Sequence, residues 1–197
     1  MPPSACPPRP ADPSNLTLAR THRSARCYTT HWDAIQLAVR LHGQRVDLVE
    51  IVRNALNVSG LPPASLILEI TESFMMQDAE TTIAKLAELK DLGIRLAIDD
   101  FGTGYSSLSY LQRFPIDILK IDKSFIDKLG QGSEGNAVAK AIIMMGESLK
   151  LKTIAEGIEH AEQITELKGL GCGAGQGFHF ARPLAKDAME EFLKTLN

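Results

Sequence analysis

Several things are scarce in this chain of 197 residues, and each scarcity removes a class of function. There are three cysteines, Cys6, Cys27 and Cys172, an odd number, widely spaced and without a C-x-x-C pair. That argues against a disulfide framework or a zinc site and fits a reducing cytoplasm. No apolar run approaches the roughly 20 residues of a membrane span. No apolar signal-peptide core follows the start, so the chain reads as cytoplasmic, with no membrane segment. Charge of one sign is not in excess either. With 21 basic and 24 acidic residues the net charge is -3, and nothing in bulk electrostatics points to DNA, RNA or an anionic membrane surface. Recognition must come from a local site.

What is present falls into two parts. In residues 1–33, six of the ten prolines occupy the first thirteen positions, and Arg9, Arg20, Arg23 and Arg26 follow with few apolar residues between them. This reads as an irregular Pro/Arg-rich segment, in preference to an organellar transit peptide, because it carries no amphipathic pattern. Residues 34–197 form one globular domain, with enough hydrophobic residues, 44% of the chain, for a sizeable core.

That second part is cyclic. Ala34 to Leu41 reads as a short strand or a helix start, and Asp47 to Val58 as a helix ended by Gly60-Leu61-Pro62-Pro63. Strands are expected at Leu66–Thr71, Arg95–Phe101, Ile116–Asp122, Lys152–Gly157 and Ala174–Phe180. Helices are expected at Ala79–Leu92, Leu108–Arg113, Ala137–Leu149, Ala161–Leu170 and Ala185–Leu196. Alternation of this kind implies parallel pairing with helices covering the sheet, an α/β fold whose strands all end on one side. A closed (β/α)₈ barrel needs eight strands and usually about 250 residues. Five or six are found here, so the barrel is expected to be incomplete at its N-terminal side.

The strand ends carry the chemistry. Asp99 and Asp100 stand side by side after the apolar run Leu96-Ala97-Ile98, where two like charges repel and lose hydration. The other ends bring Glu69 and Glu72, Lys120 and Asp122, Glu156 and Glu159, and Gln176. Period-two alternation places Lys120 with Asp122, and Ile154 with Glu156. Any one acid is explained by an internal salt bridge. Seven carboxylates against one matching cation, Lys120, are not self-neutralising, and unpaired buried charge costs several kcal/mol per ion. Oxygen ligands without cysteines or a histidine cluster suit Mg²⁺ or Mn²⁺. Two such ions about 4 Å apart are a common arrangement for phosphodiester hydrolysis.

Glu69-Ile70-Thr71-Glu72-Ser73, the run from Asp99 to Leu108, Leu119-Lys120-Ile121-Asp122-Lys123-Ser124-Phe125, Ala155-Glu156-Gly157-Ile158-Glu159, Gly175-Gln176-Gly177-Phe178 and Arg182-Pro183-Leu184 resemble, in order and spacing, the EAL domain family of bacterial phosphodiesterases specific for cyclic di-GMP. The resemblance covers about Asp47 to Leu193. It implies a TIM-type barrel, two Mg²⁺ or Mn²⁺ ions, and hydrolysis of cyclic di-GMP to linear pGpG. Glu69, Asp99 and Asp100 would be metal ligands, with Asp99 bridging. Lys120 would hold the attacking water and Glu156 would be the general base. Asp122 would lie beside the water, Glu159 near the substrate, and Gln176 in the phosphate and water network. Glu72 would anchor the loop Phe101 to Ser107, which in the family couples a homodimer contact to metal binding.

The chain departs from the family at the front. It has no Glu-x-Leu-x-Arg strand, whose glutamate would be a metal ligand. The expected asparagine ligand upstream of Asp47 falls on Leu37, or on Gln36 if one residue is inserted. The alternative reading is therefore a catalytically inactive, degenerate EAL domain that binds cyclic di-GMP or a protein partner. An enolase-like two-metal barrel with Lys120 as base is a further reading, disfavoured by the loop beginning Phe101-Gly102-Thr103-Gly104. A dinucleotide fold fails because the Gly102-Thr103-Gly104 turn lacks a third glycine and follows two acids. The paired methionines, Met75-Met76 and Met144-Met145, read as core filler, and His160 and His179 as surface or structural residues.

Overall fold

In the computed structural model, the structure describes residues 37–40, 48–72, 79–103, 111–130 and 133–182, with Leu184, Ala188 and Glu191. Six strands form one sheet: β1 (Leu37–Arg40), β2 (Leu66–Thr71), β3 (Arg95–Phe101), β4 (Ile118–Ile121), β5 (Lys152–Ala155) and β6 (Ala174–Gly175). All neighbours are parallel and the spatial order is the sequence order. That is the arrangement of a TIM-type barrel wall, in which all strands end on one side.

Helices α1 (Leu48–Ser59), α2 (Ala79–Asp91), the short α3 (Lys123–Ile126), α4 (Ser133–Ser148) and α5 (Ala161–Gly169) connect them. Each of the longer helices buries one stripe. In α1 it is Val49, Val52 and Leu56, and in α2 it is Thr82, Leu86 and Leu89, positions three, four or seven apart that share a helix face. These stripes meet the outward residues of the sheet, Leu68, Ile70, Leu96, Ile98, Leu119 and Ile121, in the main core. Turns close the elements where expected: Gly60 (φ +64°) bonds back to Leu56 O at 2.9 Å after α1, and Gly93 (φ +85°) to Lys90 O at 2.8 Å after α2.

The inward residues form a second, smaller cluster: Ile67, Ala97, Ile118, Ile154 and Ala174, one from each of β2 to β6. Because side chains alternate along a strand, the next inward position on each is two residues later. Those positions are Glu69, Asp99, Lys120, Glu156 and Gln176. The candidate site is thus the pleat layer directly above an apolar floor.

β2 and β3 have the expected bounds, and β1 resolves the strand-or-helix choice as strand. Other expectations need correction. The strand expected at Ile116–Asp122 ends at Ile121, because Asp122 turns to cap α3. The strand expected at Lys152–Gly157 ends at Ala155, before Gly157 at φ +70°. That expected at Ala174–Phe180 is only two residues long: the chain turns at once, Phe180 N–H bonding to Gly177 O at 3.1 Å. α4 begins at Ser133 rather than Ala137. Its polar first turn has no apolar periodicity to announce it. Met145 packs against the core as expected of filler, whereas Met144 is 54% exposed. Residues 1–33, Met75-Met76, half of Leu108–Arg113 and most of Ala185–Leu196 lie outside the described residues.

Candidate metal and phosphodiester site

Lys120 is the hub. Its ammonium lies 2.5 Å from Glu69 Oε1, 2.8 Å from Asp99 Oδ1 and 2.5 Å from Glu156 Oε1. Asp99 is fully buried, Lys120 and Glu69 nearly so, and the Glu156 side chain is 13% exposed. Gln176 donates its amide hydrogen to Glu156 Oε1. Four successive strands therefore deliver one group each to one point, and the next delivers an amide to its rim.

One ammonium cannot neutralise three carboxylates. The consequence falls on Glu156: burial pushes its carboxyl up, Asp99 and Glu69 push the same way, Lys120 opposes, and the result is about 7. Burial alone would lower the Lys120 ammonium, but Glu156, Glu69 and Asp99 together outweigh it and hold the lysine charged well above its ordinary range. The site is a pocket of surplus negative charge organised on a fixed cation.

Oxygen atoms of Glu69, Asp99 and Glu156 all lie within 4.8 Å of one another. A set of hard carboxylate donors, already crowded at a net negative point, fits a Mg²⁺- or Mn²⁺-class ion and not a thiophilic one. Glu156, assigned from the sequence to proton transfer, stands here with the two predicted ligands Glu69 and Asp99.

The remaining candidates are placed apart from that group. Asp100 has φ +53°, a left-handed conformation unusual for a residue with a side chain, at a shift of register between β3 and β4. Asp122 lies outside the three-carboxylate group and caps α3, accepting from Ser124 N–H at 2.9 Å. Glu159 pairs with Lys123 at 3.3 Å, so a second cation stands at this rim and the expectation of a single matching base is corrected. Lys123 also pairs with Asp127 at 2.6 Å, an i,i+4 contact. Glu72, 5% exposed, accepts from Gly102 N–H at 3.2 Å. Gly102 sits at φ +95°, and a Cβ there would come within 2.8 Å of the Phe125 ring. A glycine is thus required where the loop after β3 begins.

A further residue not singled out from the sequence is Gln163, 7% exposed. Its Oε1 accepts from Glu159 N–H at 2.8 Å and His160 N–H at 3.0 Å, while its amide donates to Ile126 O at 3.2 Å. It ties the loop after β5 to the end of α3. Gln163 stands at the third helical position of α5 and bonds back to its N-cap, but the N-cap is His160 and not one of the residues that announce a capping box.

At β1, the residue in register with Glu69 is Arg40, and Leu37 is in register with Leu66. A ligand shared with Glu69 would have to stand level with it on the neighbouring strand. Leu37 is not level with it, Gln36 lies outside the described residues, and the residue that is level, Arg40, is not asparagine.

Comparison with known proteins gives a consistent family. The family described as EAL domain matches residues 15–183. The cyclic di-GMP phosphodiesterase NbdA of Pseudomonas aeruginosa is 47% identical over 151 residues, which is 77% of this chain and 19% of that protein. The solved PaMucR phosphodiesterase, in complex with c-di-GMP, superposes with a TM-score of 0.74 at 44% identity, covering 78% of this chain and 64% of that one. The manganese/cy-diGMP complex of Klebsiella pneumoniae BlrP1 at pH 9.0 has a TM-score of 0.69 at 32% identity, covering 77% and 40%. The chain spans about a fifth of the length of the curated relatives NbdA and YkoW, the latter from Bacillus subtilis.

Proposed function

The chain belongs to the EAL domain family, and from that premise we propose that it hydrolyses cyclic di-GMP to linear pGpG with two divalent ions, Mg²⁺ or Mn²⁺. The observation that carries this reading is the buried group of Glu69, Asp99 and Glu156 around Lys120, directly above the apolar floor. Glu69, Asp99 and Asp100 would hold the ions. The chemistry such ions supply when bound is polarisation of a phosphoryl oxygen and a lowered water pKa. The protein's own part is orientation and proton handling. Lys120 holds the three carboxylates in one place, and where bound ions would take over those oxygens its ammonium would be released to donate to the water. Glu156, raised by burial in the metal-free site and drawn back toward its charged form by neighbouring cations, is placed to take a proton from that water. The Gln176 amide fixes the Glu156 oxygen that does so. The water oxygen attacks phosphorus, the P–O3′ bond breaks, the departing O3′ takes up a proton from solvent to become the 3′-hydroxyl, and the ring opens to the linear dinucleotide. Glu159 and Asp122 line the approach, and the Glu72 contact to Gly102 steadies the loop through which a second copy of the chain would act as a homodimer.

A second reading has its own observation. Arg40, level with Glu69, is a cation where a further ligand is expected. An arginine at that register position is not an oxygen ligand, which leaves a domain that binds cyclic di-GMP without cleaving it. Turnover by the purified chain in Mn²⁺, read as pGpG against an Asp99→Asn background, separates the two. Product above background supports the enzyme; binding without product supports the second reading; a folded chain that does neither overturns both.

A further inference from the structure

Gln163 makes more bonds than its place in a helix requires. As the third residue of α5 it accepts from the N–H of the N-cap, His160, at 3.0 Å, which is what a helix start needs. The same oxygen accepts from Glu159 N–H at 2.8 Å, and the amide crosses to donate to Ile126 O at 3.2 Å, at the end of α3. Capping explains the first bond and neither of the others. The side chain is buried, so a group left unpaired there would cost about 1–3 kcal/mol.

The two extra bonds join the loop that begins at Glu156 to the helix that follows Lys120. Glu156 N–H bonds to Ile121 O at 3.0 Å, which fixes where the loop leaves β5. The next residue is Gly157 at φ +70°, with the stem of Lys123 lying where a side chain would stand. A glycine restrains the backbone least, so Glu156 sits beside a pivot and its direction depends on what holds the loop beyond it. Ile158 N–H is held by Gln176 O at 3.0 Å, and Glu159 and His160 N–H are both held by Gln163. Through Ile126 O that anchor is fixed to α3, which starts three residues after Lys120. The Glu156 carboxylate must arrive at the same point as those of Glu69 and Asp99, with which it shares a space of 4.8 Å. Residues that orient a ligand without binding the ion typically contribute about 10–100-fold in affinity. We propose that Gln163 is a positioning residue for the Glu156 carboxylate and so sets the affinity of the Glu69, Asp99 and Glu156 group for a divalent ion. The proposal rests on the reading of that group as a metal site and adds to it a residue seven positions further along the chain.

The test is calorimetric titration of the metal-free full chain with Mn²⁺, with thermal melting of each variant as a check on folding. Gln163→Met, similar in length but without an amide, is expected to bind Mn²⁺ about 10–100-fold more weakly than the unaltered protein. Gln163→Glu keeps an oxygen for the N–H groups of Glu159 and His160 and should recover part of that loss. Asn136→Ala is the control for a purely structural tie. Asn136 accepts from Gly130 N–H at 3.0 Å and donates to Glu166 on α5 at 3.1 Å, so its loss should lower the melting temperature and leave Mn²⁺ affinity unchanged. Should Gln163→Met not fold, Gln163→Asn, which retracts the amide by one methylene, takes its place in the comparison. Unchanged affinity in the folded variant, an equal loss in Asn136→Ala, or no recovery in Gln163→Glu overturns the positioning role while leaving the metal site standing. No Mn²⁺ binding by the unaltered chain overturns both.

Discussion

At the amino-terminal ends of the strands Asp117 and Lys90 pair one to one, whereas at the carboxyl ends the buried Lys120 serves three anions. Asp117, just before β4, accepts from Lys90 Nζ at 2.6 and 2.8 Å and from Leu96 N–H at 2.8 Å, while its own backbone bonds to Leu96 O and Lys152 N–H. Both side chains of that pair are about 30% exposed, and together they clamp the starts of β3, β4 and β5. Elsewhere, Arg113 meets Glu80, in the first turn of α2, in an exposed contact at 2.7 and 2.9 Å, again one cation to one anion. The opposite rim has no such relief: Glu69, Asp99 and Lys120 are buried, and their charges do not cancel. A fold that needed only stability would have built both ends like the first. The second end stores unfavourable electrostatics at a single point, and that is how a site for a cationic cofactor differs from a structural ion pair.

Substitutions at the two ends should therefore differ in size and in their response to metal. Lys120→Met is expected to have the largest effect, since it leaves three crowded carboxylates with no cation. A loss of about 3–5 kcal/mol in metal-free urea unfolding at pH 8 is expected, with part regained in millimolar Mn²⁺. A loss below about 1 kcal/mol would erase the contrast between the ends.

The pH dependence comes next. Glu156 has a folded-state carboxyl raised from 4.5 to about 7, so between those values the folded chain holds a proton that the unfolded chain has released. The stability of the metal-free protein should accordingly fall as pH rises from about 4.5 to 7. Lys120, whose shift is upward, contributes stability that is present throughout this window and is lost only above the ordinary lysine range. Divalent metal should flatten the Glu156 slope, because a cation beside the carboxylate favours its charged form. A slope of opposite sign in metal-free chemical denaturation at several pH values would contradict the burial argument.

Asp117→Asn should have a smaller effect, about 1–2 kcal/mol, because Lys90 can return to water and the new amide keeps an oxygen for Leu96 N–H. Its unfolding midpoint should be indifferent to Mn²⁺. A metal response there as large as that of Lys120→Met would mean that ion binding acts on the whole sheet and not on one rim.

Much of this contrast was legible in the sequence, and the parts that were not have physical reasons. β2 and β3 were read correctly because both are continuous apolar runs buried on both faces, ended by acids. The inward step of two from Ile154 to Glu156 located the site layer, since alternation is fixed by the pleat. The same rule failed one residue past β4. Asp122 shares parity with Lys120, but the strand has ended and the carboxylate turns to cap α3. Lys123 was hidden by its neighbour Lys120, and its partner Glu159 is brought to it only by the fold. β6 was overextended because Phe178 and Phe180 mimic strand alternation, while Gly177 packs against Ile158 and turns the chain. The residue level with Glu69 depends on strand register, which a short sequence such as Leu37–Arg40 does not specify by itself.

The most direct test of the difference between the two ends is calorimetric titration of the metal-free chain with Mn²⁺ at pH 8, beside Asp99→Asn and Asp117→Asn. Saturable binding by the unaltered protein and by Asp117→Asn, lost in a folded Asp99→Asn, is the expected result. Equal binding by all three, or none by the unaltered protein, would contradict the assignment of the Lys120 cluster as a metal site.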